Sequence, residues 1–291
     1  MLWSRPLASP LRGISLARER GRLLAWDAEH TLYLFNRAGE LEARRPAAAA
    51  LAGACAADDG DSFAAVGQDG QVWLLAPDLA PRWERSVPRR AVACALSALG
   101  DYLAVSDGGG ALHVFDRLGR SAWRAANPRP LRYLAFVAER PALVGSADFG
   151  LVACFDATGR GLWRDGLVAH VGSLAASGDG ETIVLACFTE GLCRYGLERP
   201  RPERLPQAAP CRLAAVSYAG DLLLTAGMEE RLYLRQRDGA VRDELALDGA
   251  PADLALGPLG EYAAVALTDG RLLGLDARLG PAKPAVTGDK R

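Results

Sequence analysis

Arg12, Arg132 and Arg212 are separated by 120 and 80 residues, both multiples of 40. If the chain repeats with that period, the three guanidiniums occupy one phase of the repeat and can converge. A guanidinium fork meets a carboxylate or phosphate through two parallel hydrogen bonds. Arg89, Arg90, Arg129 and His170 fall just before the same phase in their own repeats. Acidic residues gather near a second phase: Glu29, Asp69, Asp148, Glu190, Glu229, Glu230 and Asp269. A cationic inner ring inside an acidic outer ring can recognise a charged partner. The expected partner-binding residues are therefore Arg12, Arg89, Arg90, Arg129, Arg132, His170 and Arg212.

Catalytic and metal chemistry are poorly provided for. The three histidines, His30, His113 and His170, stand at different phases. His113 shares its phase with Tyr33, Trp73 and Tyr233, as a packed strand residue would. A zinc site needs three or four convergent N or S ligands, and the six cysteines contain no Cys-x-x-Cys pair. Lysine first occurs at Lys283, so the chain has no Gly-x-x-x-x-Gly-Lys phosphate loop. Gly108-Gly109-Gly110 lies between two strand-like runs and reads as a turn, and there is no Gly-x-Ser-x-Gly elbow. These readings point to a non-enzymatic protein with neither cofactor nor metal.

Composition narrows the partner. The net charge of −1 provides no global field for nucleic acid or an anionic membrane. No stretch approaches the roughly 18–20 uninterrupted apolar residues of a membrane helix, and the first residues lack the pattern of a secretion signal. A cytoplasmic protein that binds another protein is expected. The preference for Arg over Lys, with abundant Ala, Leu and Gly, matches coding in a GC-rich bacterial genome.

The elements that would position these residues follow from self-similarity. Trp83, Trp123 and Trp163 recur every 40 residues. One column reads Gly60, Gly100, Gly180, Gly220 and Gly260, and the next reads Asp61, Asp101, Glu181, Asp221 and Glu261. Further columns run Gly70, Gly110, Gly150, Gly270 and Gly39, Gly119, Gly159, Gly239. Each period holds four short apolar runs bounded by Gly and Asp, which are strand and hairpin signals. Four strands per ~40 residues, repeated round a ring, form a β-propeller. The second-strand columns at Leu23 and Leu24 are both apolar, so both faces of that strand are buried. The column Ser15, Cys55, Ala95, Ala135, Ala175, Ala215, Ala255 is small, as strands crowded round an axis require.

GLVACFDATGRGLWR (150–164) and GALHVFDRLGRSAWR (110–124) resemble the repeat of quinoprotein propellers, whose core is an Asp, a Thr-Gly turn and a Trp. The column Asp116, Asp156, Asp276 is similar to the Asp of WD40 repeats, although no Trp precedes it and the Gly-His dipeptide is missing. The chain is identified as a divergent bacterial member of the WD40-like and quinoprotein-like propellers. That resemblance implies a scaffold that docks a partner through one loop face. Alternatives are a small-ligand binder or quinoprotein-like enzyme using the central channel, and an accessory of an ATPase-linked bacterial system. The quinone enzymes are larger, with adjacent cysteines and calcium ligands over the axis. This chain has no adjacent cysteines.

Seven blades are expected, at about 7–46, 47–86, 87–126, 127–166, 167–206, 207–246 and 247–282, within one domain spanning 1–282. First strands should begin near Leu11, Leu51, Ala91, Leu131, Val171, Cys211 and Pro251. Residues 283–291 form a tail. The seventh period lacks a fourth strand of Trp-Arg character, whereas MLWSRP places Trp3 in the Trp column. Residues 1–6 should therefore supply the outer strand of the last blade. Asp253 and Tyr133, in a first-strand column of otherwise small or aliphatic residues, are expected near the channel mouth.

Overall fold

A computed structural model describes residues 1–166, 169–205 and 210–277. The expected tail 283–291 and the last residues assigned to blade seven, 278–282, lie outside the described residues. Those described form 28 strands and no helix, arranged as seven four-stranded antiparallel sheets. None of their segments is a helix long and apolar enough to cross a membrane. In blade one the strands are Leu11–Ala17, Arg22–Asp27, Thr31–Phe35 and Leu41–Pro46, ordered from the axis outward. Each innermost strand packs on that of the next blade. Pro251–Leu256 of blade seven packs on Leu11–Ala17 of blade one, which closes the ring.

The core is divided among the blade interfaces. Seven apolar clusters form, one between each pair of adjacent blades. Successive strand residues point to opposite faces. Leu23 accordingly belongs to the cluster shared with blade seven and Leu24 to the one shared with blade two, and both are fully buried. This is the arrangement implied by two adjacent apolar columns.

Two first strands begin later than the repeat predicts, at Tyr133 in blade four and Leu213 in blade six. In the other five blades a β-bulge retains the first residue in the ladder, as between Leu11 and Gly13. In blade four the Leu131 N–H instead donates to Ser106 Oγ of the preceding blade, and pairing starts with Arg132 N–H to the Ser146 carbonyl at 2.7 Å.

Ring closure uses the N-terminal strand Trp3–Pro6, which pairs antiparallel with Arg271–Asp276 in the register Trp3↔Gly274 to Pro6↔Arg271. The Trp column shows why this strand belongs there. Trp83 Nε1 donates to the Arg117 carbonyl and Trp163 Nε1 to the Leu197 carbonyl, each in the outer turn of the next blade. Trp3 Nε1 donates to the Arg37 carbonyl of blade one at 3.0 Å, again 34 residues away. Arg5 Nε donates to the Gly39 carbonyl just as Arg85 Nε donates to that of Gly119. The turn glycines have positive φ, and a Cβ on Gly39 would stand 2.5 Å from the Trp3 ring. The glycine column thus exists partly to admit the indole of the preceding blade.

Trp3 is 9% exposed, so Trp3→Ala should destabilise the ring by about 3–5 kcal/mol in chemical denaturation. Removing residues 1–6 should lower the melting temperature further, because it exposes an unpaired sheet edge. A truncated chain that melts with the full-length protein would refute the clasp.

Candidate functional site

The innermost strands all run from one face of the ring to the other. The fourth-to-first connections and the second-to-third turns share the face where those strands begin, here the upper face. Arg12, Arg132 and Arg212 stand at the upper ends of three innermost strands and line the central channel, a cavity of about 470 Å³. The intervening members of that column, Ala52, Val92, Gly172 and Ala252, are small and leave the space open. The side chains of Arg12 and Arg132 are exposed and make no ion pair or hydrogen bond with described residues. Arg212 is half-buried and donates to the Pro251 carbonyl.

Tyr133 and Asp253 also line the channel. Tyr133 OH donates to the Val171 carbonyl at 3.2 Å. Burial raises its pKa, with the charges of Asp148 and Asp253 adding to the shift and Arg132 and Arg212 opposing it. Asp253 bridges blades seven and one. Its Oδ2 accepts the Ile14 N–H and its Oδ1 the Leu254 N–H, both at 2.9 Å. Burial pushes its carboxyl pKa up to about 6, against the pull of those two donors and Arg212.

Trp26, from the second strand of blade one, reaches the channel wall across Gly13. A Cβ on Gly13 would lie 2.2 Å from the indole, so only glycine permits this crossing. The other members of the Trp26 column are Val66, Ser106, Ser146, Ala186, Ala226 and Ala266. The bulky residue is unique to blade one.

Arg18 closes the lower end. Its Nε and Nη2 make a bidentate pair with Asp58 of blade two, both bonds 2.8 Å. Its Nη1 is 3.4 Å from the Ala176 carbonyl of blade five, and its guanidinium stacks 5.1 Å from the Tyr218 ring centroid of blade six. A head group from blade one that touches blades two, five and six lies across the axis. The sequence reading did not single out Arg18, yet Arg18, Asp58 and Tyr218 share one repeat column. That shared phase was the available signal.

The remaining expected cations stand on the upper rim rather than in the channel. The stems of Arg89 and Arg90 lie over Gly109 and Gly108, where a Cβ would meet them at 2.5 and 3.0 Å. The three-glycine turn therefore lets two arginine stems pass. Arg129 sits 6.0 Å from the Phe149 ring, and the His170 ring lies tilted against that aromatic at 4.8 Å. Phe149 was not anticipated, although it stands as the lone aromatic in the column of Glu29, Asp69, Glu229 and Asp269. The acidic outer ring is partly consumed: Glu190 pairs with Arg204, Asp269 with Arg271, and Glu229 accepts the Tyr233 hydroxyl.

The other histidines have local roles. His113 Nε2 lies 2.9 Å from buried Asp107, whose carboxylate also accepts the Gly109 and Ala111 N–H groups. His30 Nδ1 accepts the Leu51 N–H. No three His, Cys, Asp or Glu side chains among the described residues are grouped to hold a metal ion. No protein-family model matches the chain, and no curated protein matches it.

Two outcomes follow from this geometry. A double-mutant cycle on Arg18→Met and Asp58→Asn should give a coupling of about 1–3 kcal/mol in chemical denaturation; additive losses would show that the bridge carries no stability. Asp253 binds its proton more tightly folded than unfolded, so its contribution is full below about pH 4 and is lost as the pH rises to about 6. Relative to Asp253→Asn, the wild type should lose on the order of 2 kcal/mol across that window. The depressed carboxyls of Asp116 and Asp156 act at lower pH. A difference independent of pH between 4 and 7 would remove the carboxyl from this role.

Proposed function

We propose that this protein is a non-enzymatic docking platform that holds an acidic partner protein on its upper face. The observation that carries this reading is an upper-face sector whose arginines are unpaired. Many arginines elsewhere pair with carboxylates, on the lower face in Arg18–Asp58, Arg20–Asp61, Arg37–Glu261, Arg117–Asp101 and Arg140–Glu198, and on the upper face in Arg204–Glu190 and Arg271–Asp269. On the upper face Arg89, Arg90 and Arg129 have no acidic partner among the described residues. They form one sector over blades three to five with Phe149 and His170, a pair of rings beside a guanidinium. Arginine and aromatic side chains are the usual energetic centres of protein interfaces.

The likeness to WD40-like repeats supports the same role, and the Trp and Gly of the quinoprotein-type repeat are accounted for by blade packing. We read the platform as cytoplasmic and bacterial, a subunit of a larger complex. The burial or half-burial of all six cysteines, acting as small apolar residues, fits a reducing compartment.

The test is affinity capture from the native cytoplasm with the full chain as bait. Arg90→Glu with Arg129→Glu should abolish retention of the specific partner, whereas Arg117→Glu on the lower face should leave it intact. Retention should also fall as salt is raised, since exposed charges are screened within about 10 Å at ~0.1 M. Equal capture by the upper-face variant would dismiss this face.

A further inference from the structure

We propose that the central channel is a blind, electropositive well that binds a small organic polyanion, a di- or tricarboxylate or a phosphate ester. This site is separate from the docking sector and does not depend on it. Arg18, held by Asp58, Ala176 and Tyr218, obstructs the lower end, so the cavity of about 470 Å³ opens only toward the upper face. That volume suits a compact metabolite, and the floor blocks a chain threading through.

Arg12, Arg132 and Arg212 lie at one level of the wall, opposed by the single carboxylate Asp253. Arg12 and Arg132 have no counter-charge among the described residues. A concave well with low-dielectric walls focuses that positive potential on its contents.

Ser15 Oγ already accepts the Ala56 N–H and Ser173 Oγ the Ala214 N–H, so each hydroxyl hydrogen is available to the channel. The Trp26 indole N–H has no acceptor among the described residues. Both Asp253 oxygens accept backbone N–H groups of the wall. The well thus presents donors and cations, the complement of a ligand rich in anionic oxygens.

Calorimetry on the full chain at low salt, with citrate and with inorganic pyrophosphate as separate probes, tests this. At least one probe should bind 1:1 with Kd below about 1 mM and change the Trp26 fluorescence. Preference between the two distinguishes a carboxylate from a phosphate source. Arg12→Ala with Arg132→Ala should weaken binding by about tenfold or more. Both side chains are exposed and unpaired, so the variant should melt like the wild type. Trp26→Phe should remove the fluorescence response. The docking variant Arg90→Glu/Arg129→Glu should bind the probe as the wild type does, so the two proposals fail independently. Absence of heat with both probes up to ~10 mM, or binding indifferent to the loss of Arg12 and Arg132, would overturn the proposal.

Discussion

Four of the seven blades lean on the next through one repeated contact. The outer-strand residues Trp3, Trp83, Trp123 and Trp163 lie on the outer turn of the following blade, and three of these indoles donate to a carbonyl of that turn. A four-stranded sheet with both faces apolar has no stable existence alone, because each face needs another sheet against it. Repetition supplies a neighbour for all but the terminal faces, and closure supplies one for those. Trp3 makes the last of these contacts by seating the N-terminal strand on blade seven and its indole on the turn of blade one.

Closure has a consequence at the axis. Seven innermost strands brought together in a ring leave a channel whose width depends on the side chains that face it. Small residues at most positions keep it open, so the few large polar residues dominate its character. Arg18 spans the lower end because the ring brings blades two, five and six within reach of one side chain. Arg12, Arg132 and Arg212 stay at the upper end because their strands all start there.

The two faces then differ in how charge is settled. Most lower-loop arginines pair with carboxylates of the same or the adjoining blade, whereas Arg237 meets only the Glu181 carbonyl. The upper sector over blades three to five leaves its arginines in water beside Phe149. Isolated surface pairs are worth little to stability, so the contrast concerns recognition more than folding. A face with settled charges offers little to an acidic partner, whereas unpaired guanidiniums beside an aromatic offer both charge and contact area.

Much of this was legible in the sequence because a 40-residue period converts position into place. The phase of Trp3 identified the closing strand, and the phase of Arg12, Arg132 and Arg212 identified a common level on the ring. Phase does not specify reach. The column shared by Arg18, Asp58 and Tyr218 indicates one height, but only the diameter of the closed ring lets a guanidinium bridge them. Gly13 admits the Trp26 indole to the channel because the two residues are ladder partners beside the β-bulge of blade one, which no periodicity records. The same holds for the split among the seven cations into channel and rim. The residue pattern alone determined the blades, their number and their closure, because burial on both faces of every sheet has few solutions. The tertiary structure decided which side chains meet across the axis, because those contacts span residues as distant as Arg18 and Tyr218.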